Sequence, residues 1–255
     1  QKAEIGALPI IISIKGDSEI FSSKNFSSII ENDLYGSGYF NILDSSKIKT
    51  SIKNTNTQYA LWTLAGANFL LKASIFKDEE YEFIKFNLHD VVKKNIMFSY
   101  KIRLTKKSSE RKVAHTISNL IFEEITGIKG VFDTKIAYIS TENKENRKIY
   151  KLHVADIDGF NSVAIYKSSK QLMSPTWAPK NDKIAYVSFE NNRPEIFIQT
   201  LATGERKKLL GGNNSNSAPA WSPDGKFIAY TSSVKGNLEI FIYNILEQKE
   251  KRITN

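Results

Sequence analysis

The 255-residue sequence contains no cysteine. Disulfides, thiolate zinc sites and cysteine-based redox chemistry are therefore excluded. It has no run of about twenty apolar residues, so no segment reads as a membrane-spanning helix. Histidine is restricted to His89, His115 and His153, and none has a histidine partner at zinc-ligand spacing. There is no Gly-x-Ser-x-Gly elbow and no Gly-x-x-x-x-Gly-Lys-Ser/Thr phosphate loop. Gly36-Ser37-Gly38 lacks the third glycine of a dinucleotide fingerprint. Asp156-Ile157-Asp158-Gly159 opens like a calcium loop but lacks the later oxygen ligands and the closing glutamate, so it reads as a hairpin turn. Glu195 and Glu239 recur at equivalent positions, which reads as strand-edge or surface placement rather than an acid/base pair facing one substrate. The sequence makes no case for catalysis, a cofactor or a metal.

Charge of one sign is in excess without being concentrated. The net charge is +9, from 36 basic and 27 acidic residues. Residues 1–130 hold 18 basic and 14 acidic side chains, leaving 18 and 13 for the remainder. The longest basic blocks are Lys106-Lys107 and Arg206-Lys207-Lys208. An even spread of this kind reads as a solvated surface and argues against a nucleic-acid binder.

What is present is one pattern written twice. SPTWAPKNDKIAYVSFENNRPEIFIQ begins at Ser174, and APAWSPDGKFIAYTSSVKGNLEIFIY begins at Ala218, without a gap at an offset of 44. Ile184-Ala185-Tyr186-Val187 and Glu195-Ile196-Phe197-Ile198 are short β-branched and aromatic runs, predicted as strands. Pro223-Asp224-Gly225 is a hairpin turn in which glycine supplies a positive φ. The first copy has Asn181 there, the next most tolerant residue of the left-handed region. Four short strands in about 44 residues match one β-propeller blade. A weaker third copy aligns Lys135-Ile136-Ala137-Tyr138 with Lys183 to Tyr186, and Ile149 to Leu152 with Ile196 to Gln199. The repeated Trp177 and Trp221 read as core residues between blades.

The preceding half reads as α/β. Pro9 to Ile14 is a buried strand, Phe26 to Leu34 an amphipathic helix ended by Gly36 and Gly38, and Phe40 to Leu43 a second strand. Thr57 to Leu64 reads as a helix, Phe69 to Phe76 and Tyr81 to Leu88 as an antiparallel hairpin, and Asn95 to Leu104 as a further strand. Ser109 to Ile125 is the longest helix, with Val113, Ile117, Leu120, Ile121 and Phe122 on its face and Gly127 at its end. The expected organisation is two domains: an N-terminal α/β domain, a mixed sheet with helices, over 1–128, then β-propeller blades over 129–255. The 125 residues from Val131 hold about three blades of that size.

At the junction the residues resemble a known family. Phe122 to Phe132, followed by Thr134 to Tyr138, is similar to the junction of the TolB family. Gly36 to Asp44 resembles its first domain, and Asp156 to Asn161 and Leu172 to Trp177 resemble its first blades. The resemblance implies a non-enzymatic periplasmic component of the Tol–Pal system, with an α/β domain and a six-bladed propeller, supporting outer-membrane integrity and constriction at cell division. It implies the partners Pal and TolA, and leaves room for other Tol or outer-membrane proteins. The lipoprotein Pal would meet blade loops near the channel mouth, here Leu172, Met173, Ser174 and Pro175 with Ser215, Asn216, Ser217, Ala218 and Pro219. TolA would engage the N-terminal segment, here Gln1, Lys2, Ala3, Glu4 and Ile5. With about three of six expected blades, and a first residue that is not methionine, the chain reads as processed and C-terminally truncated, or completed by a second copy. The alternative is the propeller portion of a prolyl-oligopeptidase-like serine peptidase, which carries similar Trp-Ser-Pro-Asp-Gly blades.

Overall fold

The computed structural model describes residues 6–16, 21–44, 55–78, 80–105, 108–145 and 147–254. The chain divides into two compact units, Gln1–Thr134 and Lys135–Asn255.

The first unit is a five-stranded mixed sheet in the order β2-β1-β3-β4-β5. Its strands are β1 (Leu8–Lys15), β2 (Phe40–Leu43), β3 (Phe69–Lys77), β4 (Glu82–Asp90) and β5 (Asn95–Leu104), with helices α1 (Ser23–Gly36), α2 (Thr55–Leu64) and α3 (Glu110–Thr126). β1 is an inner strand parallel to β2 and β3, while β3, β4 and β5 form an antiparallel meander. The apolar run of β1 follows from burial on both faces. Ile10 and Ile12 join the cluster containing α1 and α3 residues, and Ile11 joins Tyr59 and Trp62 of α2 on the opposite face. Ser109 caps α3 by accepting from the Lys112 N–H, and Gly127 ends it at φ 70°.

Within that core the sequence pattern missed a polar contact. His115 of α3 is buried, and its Nδ1 lies 2.7 Å from Asp33 Oδ2 of α1. A buried carboxylate needs such a partner, so the pair fixes the two helices at one relative position. After α3 the chain turns back against it. A Cβ on Gly130 would meet Asn119 Cα at 2.7 Å, the Phe132 N–H donates to Asn119 Oδ1 at 2.8 Å, and Phe132 enters the apolar cluster. The expected boundary near residue 128 therefore precedes the division observed at Thr134.

The second unit is three antiparallel sheets. β6 (Lys135–Lys144), β7 (Arg147–Asp156) and β8 (Val163–Ser168) form the first. β9 (Leu172–Trp177), β10 (Lys183–Ser188), β11 (Glu195–Thr200) and β12 (Arg206–Leu210) form the second. β13 (Asn216–Trp221), β14 (Phe227–Ser232), β15 (Glu239–Asn244) and β16 (Lys249–Arg252) form the third. The turns carry the expected backbone: Gly225 has φ 71° and Asn181 φ 57°. Asp156 to Asn161 is a turn, closed by Gly159 N–H to Asp156 O at 2.8 Å. The Asp156 carboxylate is held by Asn161 and Lys135. The third copy needs one correction. Leu152 lies opposite Ile139 as Ile196 lies opposite Val187, so Leu152, not Ile149, occupies the Ile196 position. The slip arises because the β6–β7 hairpin has ten-residue strands where its counterparts have six.

Apolar clusters fill the spaces between blades. Leu152 packs with Leu172, Ile184, Tyr186 and Phe197, and Val187, Ile196 and Leu210 pack with Tyr230 and Phe241. Leu152→Ala is expected to cost about 2–5 kcal/mol in urea denaturation. Leu246→Ala, at a side chain 90% exposed, is expected to stay within about 0.5 kcal/mol.

His89 provides a pH handle on the first unit. Its Nδ1 lies 2.9 Å from the Tyr59 hydroxyl, and Tyr59 and Trp62 both pack edge-on against the ring. Burial, and secondarily Lys72, pushes its pKa below the ordinary histidine value. The unfolded chain then binds the extra proton more readily, so stability is full above about pH 6.5 and falls as pH drops through that value. His89→Gln is expected to flatten this acid-side loss, read from Trp62 fluorescence in a Trp177→Phe/Trp221→Phe background.

Candidate partner-binding face

The two segments expected to meet a partner are β9 with its entry and β13 with its entry. Both are edge strands of their sheets, and they converge: β9 lies against β6 and β7 of the preceding blade, and β13 lies against β9, β10 and β11. They form the inner side of the blade array.

Each strand is interrupted at the same place. In the second blade Ala185 pairs with Thr176 and Val187 with Met173, so Tyr186 faces two residues, Ser174 and Pro175. In the third, Ala229 pairs with Ala220 and Thr231 with Ser217, so Tyr230 faces Ala218 and Pro219. These are β-bulges at equivalent positions. Ser174 has φ 52° and Ala218 φ 51°. The left-handed region costs an L-residue about 1–2 kcal/mol, and a following proline ordinarily drives the preceding residue to extended backbone. Both preferences are broken twice, 44 residues apart. Strain of this kind persists where the surroundings over-determine it, and it concentrates at binding sites and clamps.

The surroundings are visible. Tyr186 is fully buried and Tyr230 nearly so. Burial, opposed by Arg206, pushes the Tyr186 hydroxyl up to about 12. Burial and the hydrogen bond to Glu250 also raise Tyr230. Arg206 Nε donates to the Tyr186 hydroxyl at 2.5 Å, its guanidinium lies 3.5 Å from the Phe197 ring centroid and 4.2 Å from that of Tyr166, and it pairs with Glu190 at 2.8 Å. Because Tyr166 belongs to β8, this stack joins the first blade to the second. Gln199 adds a second link, donating to the Ile165 carbonyl at 2.9 Å.

Glu195 and Glu239 prove to be buried, which corrects the expectation of strand-edge or surface placement. Each is paired from the neighbouring outer strand: Lys208 Nζ is 3.4 Å from Glu195, and Arg252 is 2.8 Å from Glu239. Asn191 and Thr254 donate to the same two carboxylates. They are structural ion pairs repeated with the blade.

The expected contact residues separate into two groups. Met173, Ser174 and Ala218 are exposed, and Pro175, Ser215 and Ser217 are partly so. Leu172, Asn216 and Pro219 are buried, so their side chains hold the strand rather than present a surface. The Asn216 N–H donates to the Pro194 carbonyl at 2.9 Å, the Ser215 N–H to Ser233 Oγ at 2.9 Å, and Ser217 Oγ lies 2.8 Å from Thr231 Oγ1. Gln1, Lys2, Ala3, Glu4 and Ile5 lie outside the described residues. The left-handed backbone was not legible from residue type, because neither serine nor alanine signals a positive φ. The recurrence of a residue followed by proline three positions before each tryptophan was the available clue.

A mixed α/β unit followed by antiparallel blades, one of three strands and two of four, with converging bulged inner strands, defines a two-unit protein of the β-propeller class. The family model described as "TolB amino-terminal domain" matches residues 1–97, and "TolB beta propeller domain" matches residues 122–255. The chain belongs to the TolB family. It is 37% identical over 203 residues to the Tol-Pal system protein TolB of Hydrogenovibrio crunogenus, covering 79% of this chain and 47% of that protein. The Coxiella burnetii protein of the same name is 37% identical over 228 residues, covering 85% and 51%. The crystal structure of TolB from Acinetobacter baumannii superposes with a TM-score of 0.82 at 32% identity, over 98% of this chain and 61% of that one. The chain spans about half the length of the curated relatives it matches.

The strain at the bulges is testable. Ala218→Gly is expected to preserve or raise stability, because glycine takes positive φ without penalty. Ala218→Val, β-branched at the same φ, is expected to lose about 1–3 kcal/mol by urea denaturation. Equal behaviour of the two variants would contradict a left-handed Ala218.

Proposed function

We propose that this chain acts as a non-enzymatic interaction scaffold of a Tol–Pal system in the periplasm. Its inner-strand bulges meet the lipoprotein Pal, and its N-terminal segment, Gln1 to Ile5, engages TolA. Linking the two supports outer-membrane integrity and constriction during division. Membership of the TolB family and the names of its relatives support the Tol–Pal reading. They favour it over a peptidase propeller because the α/β half matches as well as the blades. Among the described residues no helix is long and apolar enough to cross a membrane.

The observation that carries the binding role is the pair of equivalent bulges. Two strained, exposed turns at Ser174 and Ala218 lie on converging strands, with Met173 36% exposed beside one of them. A partner recognised there would meet backbone and small side chains in fixed positions, with Met173 as an adaptable apolar contact. Recognition by shape of this kind needs no reactive group.

The test is calorimetric titration of the full-length protein with Pal from the same cell. Wild type is expected to bind, and Met173→Glu combined with Ala218→Arg is expected to weaken binding by roughly tenfold or more, with unchanged circular dichroism. Deleting residues 1–5 is expected to reduce TolA binding and leave Pal binding intact. Absence of Pal binding by the full-length wild type would sink the reading.

A further inference from the structure

The sheet of the first unit has a face that α2 covers at one end. Around Ile11, Leu70 and His89 it is packed under Tyr59 and Trp62. Beyond them it continues into solvent across four strands. One row carries Lys15, Ser74, Lys85 and Lys101, and the adjacent row carries Ser13, Lys72, Asn87 and Ser99. A third carries Phe76, Phe83 and Arg103. Lys72, Lys85, Lys101 and Arg103 are exposed.

This face departs from an ordinary solvated one. The usual arrangement alternates charge signs across strands, since like charges directly opposite each other are destabilising. Here Lys85 lies directly opposite Lys101. Among the described residues, these strand positions of the face carry no carboxylate, and no ion pair within 4.0 Å involves Lys72, Lys85, Lys101 or Arg103. Among the described residues, an acid that feels two of these cations is Asp78, at the β3–β4 turn. Its carboxylate is held low first by the Tyr81 backbone N–H, with Glu80's N–H, Lys101 and Arg103 as lesser contributors. The cations rest on rings instead. Lys101 Nζ lies 3.6 Å from the Phe83 centroid and 5.3 Å from that of Phe76, and the Arg103 guanidinium lies 3.3 Å from the Tyr81 centroid. Cation–π contacts hold these side chains in place without neutralising them.

We propose that this face is a docking surface for an anionic phospholipid bilayer. The charge pattern supplies the complementarity: cations spread over three strands, β3, β4 and β5, match a diffuse negative surface rather than one phosphate. Lysines predominate, and a lysine ammonium acts as a point charge without the bidentate fork that would fit a defined anion. The sheet offers a broad, shallow face, and the rings of Phe76, Phe83 and Tyr81 at its margin suit a headgroup boundary. Membrane contact of this kind is reversible and weakens as salt screens it.

The experiment is co-sedimentation of the full-length protein with phosphatidylcholine vesicles containing about one-third phosphatidylglycerol. Binding is expected at low salt, absent from pure phosphatidylcholine, and lost at about 0.5 M salt. Lys72→Gln/Lys85→Gln/Lys101→Gln is expected to weaken it roughly tenfold or more, and the Glu versions further. The control Lys144→Gln/Lys148→Gln/Lys167→Gln removes the same charge from the second unit and is expected to bind like wild type. Equal losses in the two triple variants would assign binding to net charge and overturn the proposal. So would vesicle binding that the first triple variant retains. Face-dependent binding to soluble poly-glutamate without vesicle binding would assign the face to an acidic polypeptide and overturn it as well. Removing like charges leaves the core of the sheet untouched, and a thermal melt of each variant confirms the fold.

Discussion

The second unit depends on one constraint: a single blade cannot bury its own apolar faces. Leu152 of the first blade finds its cover in Leu172, Ile184, Tyr186 and Phe197 of the second, and Val187, Ile196 and Leu210 find theirs in Tyr230 and Phe241 of the third. Blades must therefore stack, and the repeated Tyr186 and Tyr230 are buried within the clusters between them. The inner strand accommodates each one with an extra residue, so each tyrosine faces a bulge. The strained Ser174 and Ala218 are consequences of packing before they are anything else. The recognition surface proposed above would use geometry that the core already imposes.

Polar chemistry is subordinate to the same packing. Glu195 and Glu239 are carried inward by strand alternation and accept cations from the neighbouring outer strand because an unpaired buried carboxylate would be costly. At the next equivalent position the two blades diverge. Tyr186 meets Arg206, while Tyr230 meets Glu250 in the position 44 residues on. The backbone frame repeats, and the groups that satisfy the tyrosine hydroxyl are interchangeable. In the first unit the Asp33–His115 contact plays a similar part, joining α1 and α3 beside the apolar cluster.

Much of the fold was legible because its signals are local. The apolar run at Ile10 to Ile12, the glycine at 127 and the turn at Pro223-Asp224-Gly225 each act within a few residues, and each has the predicted outcome. The strand register of the first blade was not legible, since the longer β6–β7 hairpin shifts the match by three residues without altering its composition. The burial of His115 was missed because its partner is 82 positions away in sequence. Of the candidate face, the repeat marked the two equivalent segments that prove to be edge strands. The division into exposed Met173, Ser174 and Ala218 and buried Leu172, Asn216 and Pro219 could not be read, because it depends on the neighbouring blade.

The sequence by itself determined the class: a β-propeller period of 44, an α/β half before it, a family resemblance spanning both, and no motif for catalysis. The resemblance rests on the junction and blade motifs; the rest follows from periodicity, turn chemistry and residue type, which are properties of short segments. Tertiary structure alone decided which glutamates are buried, where the inner strands bulge and which residues face outward there. It also gathered lysines from separate strands, dispersed in the chain and unremarked in the charge count, onto one face. Charge spread evenly in sequence becomes concentrated in space because strands alternate their side chains and a sheet collects every second residue on one side.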